Sequence, residues 1–167
     1  MDLKSQHKIK EILNKARKER KSTKRLIKSF SAVKPMLLDN AFEDAHDFVF
    51  KRTDCLVCAN CCKTSSPIII NKDVERISAH LRMKAGDFVV KYLRIDEDED
   101  YVFQQTPCIF LNEDNTCQIY DIRPKACREY PHTNRKNMYE ILELTYKNSM
   151  VCPAVYEILL RLEDVGR

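Results

Sequence analysis

Four of the eight cysteines fall within eight consecutive positions, Cys55, Cys58, Cys61 and Cys62, in the stretch DCLVCANCC. A thiolate is a nucleophile and a soft metal ligand, so clustered cysteines mean disulfide, redox or metal chemistry. The compartment decides among them. The chain begins MDLKSQHKIK, without the apolar core of a secretory leader, and its apolar runs are a few residues long. A cytoplasmic location with no membrane association is therefore expected. In a reducing compartment clustered thiols bind metal more often than they pair as disulfides. The C-x2-C-x2-C spacing of Cys55, Cys58 and Cys61 lets three thiolates converge on one centre, which makes this a ligand loop.

The elements that must hold these thiols can be read from periodicity and punctuation. Asp39 is placed to cap a helix with Ala41, Ala45, Phe48 and Val49 inward, delivering the chain to the first cysteines. SSPIIIN reads as a short strand, and Asn71 as the cap of a helix carrying Val74, Ile77 and Leu81. A further helical piece runs from Gly86 through Phe88 and Tyr92. The run DEDED at 96–100 offers no apolar position and is expected as a solvent-facing turn. YVFQQ, CIFL and TCQIY read as strands, with NEDN as the turn of a hairpin that brings Cys108 and Cys117 together. Pro124 and Pro131 bracket Cys127. Cys152 sits at the N-cap of a closing helix, with Pro153 in its first turn and Val155, Ile158, Leu159 and Leu162 inward.

The segments CLVCANCC, PCIFLNEDNTCQIYDIRPKACREYP and CP at 152–153 together resemble the YkgJ-type cysteine-cluster family, a zinc- or iron-chelating domain. The resemblance spans Cys55 to about Pro153 and implies metal chelation. The same pattern also resembles a region of flagellin lysine methylases. That implies a metal-dependent protein-modifying enzyme as an alternative, although a nucleotide-type pocket wants a glycine-rich turn and only Gly86 and Gly166 are present.

The doublet Cys61–Cys62 bears on how many centres there are. In an extended or turn-like backbone neighbouring side chains point to opposite sides, so the two thiols are expected to serve different sites. The expected partition is Cys55, Cys58, Cys61 and Cys152 for one, and Cys62, Cys108, Cys117 and Cys127 for the other. The first set resembles the ferredoxin pattern, in which such a triplet is followed by a cysteine preceding proline. A cluster accepts three closely spaced cysteines readily, whereas zinc commonly draws two separated pairs, so an iron–sulfur cluster is preferred as cofactor and zinc is the alternative. Arg123 and Arg128 flank Cys127 and could donate to sulfur, with pairing to Asp121 or Glu129 as the competing use. His46 and His80 lack a spaced carboxylate or cysteine partner, while His132 follows Pro131 within reach of the second site and could replace a cysteine there, but reads as a surface histidine because the cysteines already fill two sites. Tyr120 and Tyr130 read as packing residues.

Charge divides the chain. Residues 1–34 hold twelve Lys or Arg against three acids, a net +9, while the rest holds 17 basic and 22 acidic residues, a net −5. The division expected is a basic helical arm, 1–34, and a cysteine-cluster domain, 35–167. The arm carries Ile9, Leu13, Ala16, Leu26 and Phe30 at helical spacing. Packed on the body through Leu13, Leu26 and Phe30, its lysines would serve solubility; lying free, it could hold nucleic acid through phosphate contacts. At 44% hydrophobic and 32% charged, the chain suits one small core with an appendage. The fold expected is α+β, helix-rich, with a short β-hairpin and metal-binding cysteine loops. Its function is expected to be structural or redox metal binding, with metal ions or clusters as the partners the sequence names.

Overall fold

The computed structural model describes residues 3–165, so Met1 and Asp2 of the basic arm lie outside it. The chain is 61% helical with one small antiparallel sheet, the α+β, helix-rich class the sequence predicts. Its helices are α1 (Leu3–Lys18), α2 (Arg20–Ser29), α3 (Pro35–Phe50), α4 (Cys55–Cys58), α5 (Asn60–Thr64), α6 (Asn71–His80), α7 (Ala85–Tyr92), α8 (Lys125–Glu129), α9 (Leu142–Ser149) and α10 (Pro153–Arg161). The sheet consists of β1 (Leu93–Ile95) and β2 (Tyr101–Phe103). Two compact units result, Met1–Cys58 with Pro131–Arg167, and Ala59–Tyr130.

In the first unit α3 opens on Pro35, whose fixed φ suits the first helical turn and whose missing N–H would have had no partner there. Leu38, Phe42, Ala45 and Val49 recur every three or four residues and give one buried stripe. They meet Ile158, Leu159 and Leu162 at the C-terminal end of the chain, with Ile27, Phe30 and Met138 completing the cluster. Phe30 meets Phe42 edge to face at 5.7 Å. Asp39 does not cap α3, because Pro35 has already started it. Its carboxylate instead accepts the backbone N–H groups of Asn137 and Met138, both at 2.8 Å, and so caps a 3-10 turn, Met138–Ile141.

The basic arm belongs to this unit. Helix α1 packs on α10, α2 and α4, and α2 packs on α9. Leu13, Ala16, Ile27 and Phe30 are buried, and Leu26 packs against the core cluster. The Tyr156 hydroxyl, from α10, donates to the Glu19 carboxylate at the junction of α1 and α2.

The second unit is built on α6, α7 and the sheet. Ile69, Val74, Ile77, Phe88, Leu93, Phe103, Phe110 and Ile119 form its core. The strand register is Leu93 with Phe103, Arg94 with Val102 and Ile95 with Tyr101. The hairpin therefore turns through the acidic run, where Asp96 Oδ1 accepts the N–H groups of Asp98 and Asp100. The predicted hairpin at CIFL and TCQIY is reduced to one bridge, Leu111 with Cys117, and SSPIIIN to another, Ile68 with Val102. Phe110 and Ile119 turn into the core instead of extending a ladder. Helix α6 begins at Asn71, and its first turn is capped by Asp73, which accepts the Ile70 N–H at 3.3 Å.

Candidate metal centre

The first unit contributes Cys55, Cys58 and Cys152. Helix α4 is a single turn with Cys55 and Cys58 at its two ends, and Asp54 Oδ1 caps it by accepting Leu56 N–H at 2.8 Å. Cys152 is the N-cap of α10, with Pro153 at the first helical position. Burial pushes its thiol up to about 11, the Val155 and Ala154 backbone N–H groups act against that, and the Cys58 and Cys55 sulfurs add to it. The helix N-terminus thus aims donors at a sulfur that senses the other two thiols of its unit.

The second unit contributes the remaining five. Ala59 stands at φ 45° in the left-handed region, an unusual place for a residue with a Cβ, and is the N-cap of α5. Cys61 and Cys62 lie in α5, so the doublet is helical where an extended backbone was expected. Helical neighbours are about 100° apart, and the two sulfurs sit 3.9 Å from each other. Hydrogen bonding from Cys61 pulls the Cys62 thiol down to about 7, against the effect of burial and with help from Lys63. Cys62 is thus better prepared to be a thiolate than Cys108, Cys117, Cys127 or Cys152, all of which are raised.

Cys108 is tied to it through the backbone, its N–H donating to the Cys62 carbonyl at 2.8 Å. Leu111 bonds to the Cys108 carbonyl and bridges Cys117, which places Cys108 and Cys117 on the two limbs of one tight loop. Asp114 Oδ1 closes that loop on Thr116 N–H at 2.9 Å. Burial raises Cys108 to about 11, opposed by the Phe110 N–H and reinforced by Cys62 and Cys117. Burial likewise raises Cys117, with Ile119 N–H opposing. Cys127, on α8, is pushed up to about 12 by burial and then by Cys62, Cys108 and Cys117, with Arg123 opposing. Cys62, Cys108, Cys117 and Cys127 therefore lie in one another's electrostatic field within a single unit.

The loop that presents Cys127 is held by a contact that sequence reasoning missed. Asp73 is fully buried. Besides the Ile70 N–H, its carboxylate accepts Lys125 N–H at 3.1 and 3.2 Å and Arg76 Nη2 at 2.5 Å. Arg76 in turn donates to the Ile122 and Arg123 carbonyls. One carboxylate and one guanidinium thus fix the RPKAC segment on both sides of Pro124. The signal was there as an acid in the first turn of α6, but its partner stands 52 residues away.

Arg123 acts electrostatically on Cys117 and Cys127, favouring both thiolates, while its guanidinium bonds to the Tyr120 carbonyl at 2.7 Å and lies 3.9 Å over the Tyr120 ring. Arg128 donates to the Arg123 carbonyl at 2.7 Å and so braces the same loop. His46 bonds Thr133 and stacks on Phe50, a packing role.

None of the eight cysteines is in a disulfide. Among the described residues no three His, Cys, Asp or Glu side chains are yet drawn tightly enough to hold an ion. The donor chemistry fits a thiophilic metal: partly buried sulfurs, each of Cys108, Cys117 and Cys152 met by backbone N–H groups, with a guanidinium beside two of the set. A cation would remove the protons that burial retains.

A family model described as "CxxCxxCC: Putative zinc- or iron-chelating domain" matches residues 54–153. The chain belongs to the CxxCxxCC family. The matched stretch begins one residue before Cys55 and ends one after Cys152, so every cysteine lies within the CxxCxxCC domain and the basic arm lies outside it. Zinc or iron chelation is the chemistry that membership supports. No solved structure matches the chain. No helix among the described residues is long and apolar enough to cross a membrane.

Proposed function

We propose that this protein is a structural or redox metalloprotein whose second unit holds one four-thiolate centre, with Cys62, Cys108, Cys117 and Cys127 as ligands. The observation that carries the reading is the convergence of these four on one another inside one unit: Cys62 and Cys108 through a backbone bond, Cys108 and Cys117 through one tight loop, and Cys127 through the influence of the other three. Cys55, Cys58 and Cys152 form a separate set in the other unit, supported by the influence of Cys58 and Cys55 on Cys152. The ligand roles of the arginines are indirect. Arg123 offsets the negative charge of the bound thiolates, and Arg128 holds the loop.

The resident cofactor in this reading is an iron–sulfur cluster with zinc as the alternative, since four thiolates serve either group. Bound in this way it would supply one-electron chemistry, while the protein supplies thiolates, backbone N–H groups and burial. The deciding experiment is anaerobic purification followed by an absorption spectrum and elemental analysis. A brown protein with broad visible absorption that bleaches on reduction supports the cluster. Colourless protein with stoichiometric zinc would replace the cluster by zinc and leave the ligand sets standing.

A further inference from the structure

Away from the cysteines, the face of α2 that does not dock is strongly basic. Arg20, Lys21, Lys24, Arg25 and Lys28 are all exposed. At about 100° per residue they occupy an arc of about 140°. Thr23 and Ile27 are buried on the opposite side, with half-buried Leu26 and buried Phe30. No acidic residue occurs anywhere in α2. None of the five is in an ion pair among the described residues; Lys24 lies 5.6 Å from the Tyr146 ring centre.

A face kept only for solubility intersperses both signs, because a single-sign field repels itself and favours no compact state. This face has one sign. The acids of the arm before α2 are engaged elsewhere: Glu11 with His7 at 3.1 Å, and Glu19 with the Tyr156 hydroxyl and, at 4.0 Å, with Lys15. The sequence alone set docking of the arm against polyanion binding. The structure separates the two, because the arm docks by its apolar side and leaves these charges exposed.

We infer that the outer face of α2 binds the phosphate backbone of a nucleic-acid duplex without reading its sequence. From Arg20 to Lys28 the helix rises about 12 Å, a length of axis over which the two strands of a duplex carry about seven phosphates between them. A bilayer surface is a poorer fit, since an interfacial helix must bury its apolar side in lipid and this one is committed to the protein core. Single strands are a poorer fit because the face has no aromatic side chain for base stacking.

The test is fluorescence anisotropy of the full-length, metal-loaded protein with a labelled duplex of about 20 base pairs. Five phosphate contacts predict a log–log salt slope of about −4.5, so affinity should fall about 500-fold between 50 and 200 mM salt. A variant with Lys21, Lys24, Arg25 and Lys28 each changed to Gln should retain its helicity and metal. Its slope should fall to about −1 and its low-salt affinity at least about 100-fold. The control carries Lys51→Gln, Lys72→Gln, Lys84→Gln and Lys147→Gln, has the same net charge, and should bind within about threefold of the unaltered protein. Should the fourfold α2 variant lose helicity, the pairs Lys21→Gln with Lys24→Gln and Arg25→Gln with Lys28→Gln serve instead, each lowering the slope by about 2. Equal losses in the α2 and control variants would overturn the inference, as would a wild-type slope shallower than about −2. So would binding to anionic vesicles or polyglutamate as tight as to duplex.

Discussion

Metal binding to a set of thiols is also an acid–base reaction, and the second unit makes its stoichiometry predictable. At pH 7 a group pulled down to about 7 is half protonated, so Cys62 brings about half a proton to the reaction. Cys108, raised to about 11, and Cys127, raised to about 12, each bring essentially one. Cys117 is raised as well and brings one more. Formation of a four-thiolate centre should therefore release about 3.5 protons per metal at pH 7. Between pH 7 and pH 6 the Cys62 contribution rises toward one, the slope of log affinity against pH averages about 3.7, and apparent affinity falls about 5,000-fold.

The measurement is anaerobic titration of reduced, metal-free Cys55→Ser/Cys58→Ser/Cys152→Ser protein with zinc as probe. Heats are compared in buffers of different ionisation enthalpy, and the affinity is followed by chelator competition from pH 6 to pH 8. Cys61→Ala removes the hydrogen bond that lowers Cys62, and should carry the release at pH 7 from about 3.5 toward 4. Release of two protons or fewer, with a correspondingly shallow pH dependence, would mean that the four thiols do not act as one ligand set. The reasoning from mutual proximity would then fail whatever metal the protein carries.

Cys127→Ser should abolish metal at the second-unit centre while Cys152→Ser spares it, read by elemental analysis of each variant; equal loss from both would refute the separation into two sets. Asp73→Ala strands a partly buried guanidinium and two backbone N–H groups, and should lower stability by about 3 kcal/mol in chemical denaturation, whereas Arg128→Ala should cost under about 1 kcal/mol. In metal-free protein at pH 7, Cys62 should be alkylated first by iodoacetamide, because about half of it is thiolate against roughly 1% for an ordinary cysteine; peptide mass mapping at short times reads the order. Deleting residues 1–34 removes Ile27 and Phe30 from the core around Phe42 and Ile158, so the truncated chain should lose cooperative unfolding of its first unit; Phe30→Ala alone should cost about 3–5 kcal/mol.

What could be read in the sequence was what local chemistry decides. Pro153 after Cys152 marked a helix start with a sulfur at its cap, and α10 begins there. The acidic run could only be a turn, and it is one. Where two local signals competed, the weaker was followed. Asp39 resembles a cap, but Pro35 starts the helix a turn earlier and frees that carboxylate for Asn137 and Met138. Asn71 resembles a cap too, but Asp73 reaches back to Ile70. The misplaced hairpin has a different origin. β1 is three residues long and follows α7 without a break, so no alternation of its own announces it, while CIFL and TCQIY look like strands and spend their apolar residues on the core.

The doublet shows how a site can be legible in composition and illegible in conformation. Eight thiols and their spacings are sequence facts, but whether Cys61 and Cys62 diverge or lie together depends on the backbone between them. That backbone is set by Ala59 in the left-handed region, and an alanine gives no sign of it. Once the pair is helical, hydrogen bonding from Cys61 favours Cys62 as a thiolate. The other determinants of the site are farther from the cysteines still. Cys127 depends on Asp73 through Lys125, and Cys55 and Cys58 sit on a single turn of helix against which α1 packs. A turn of four residues has no stability of its own in water. The basic arm, outside the family's pattern in sequence, is thus among the elements that keep two of the family's cysteines in place.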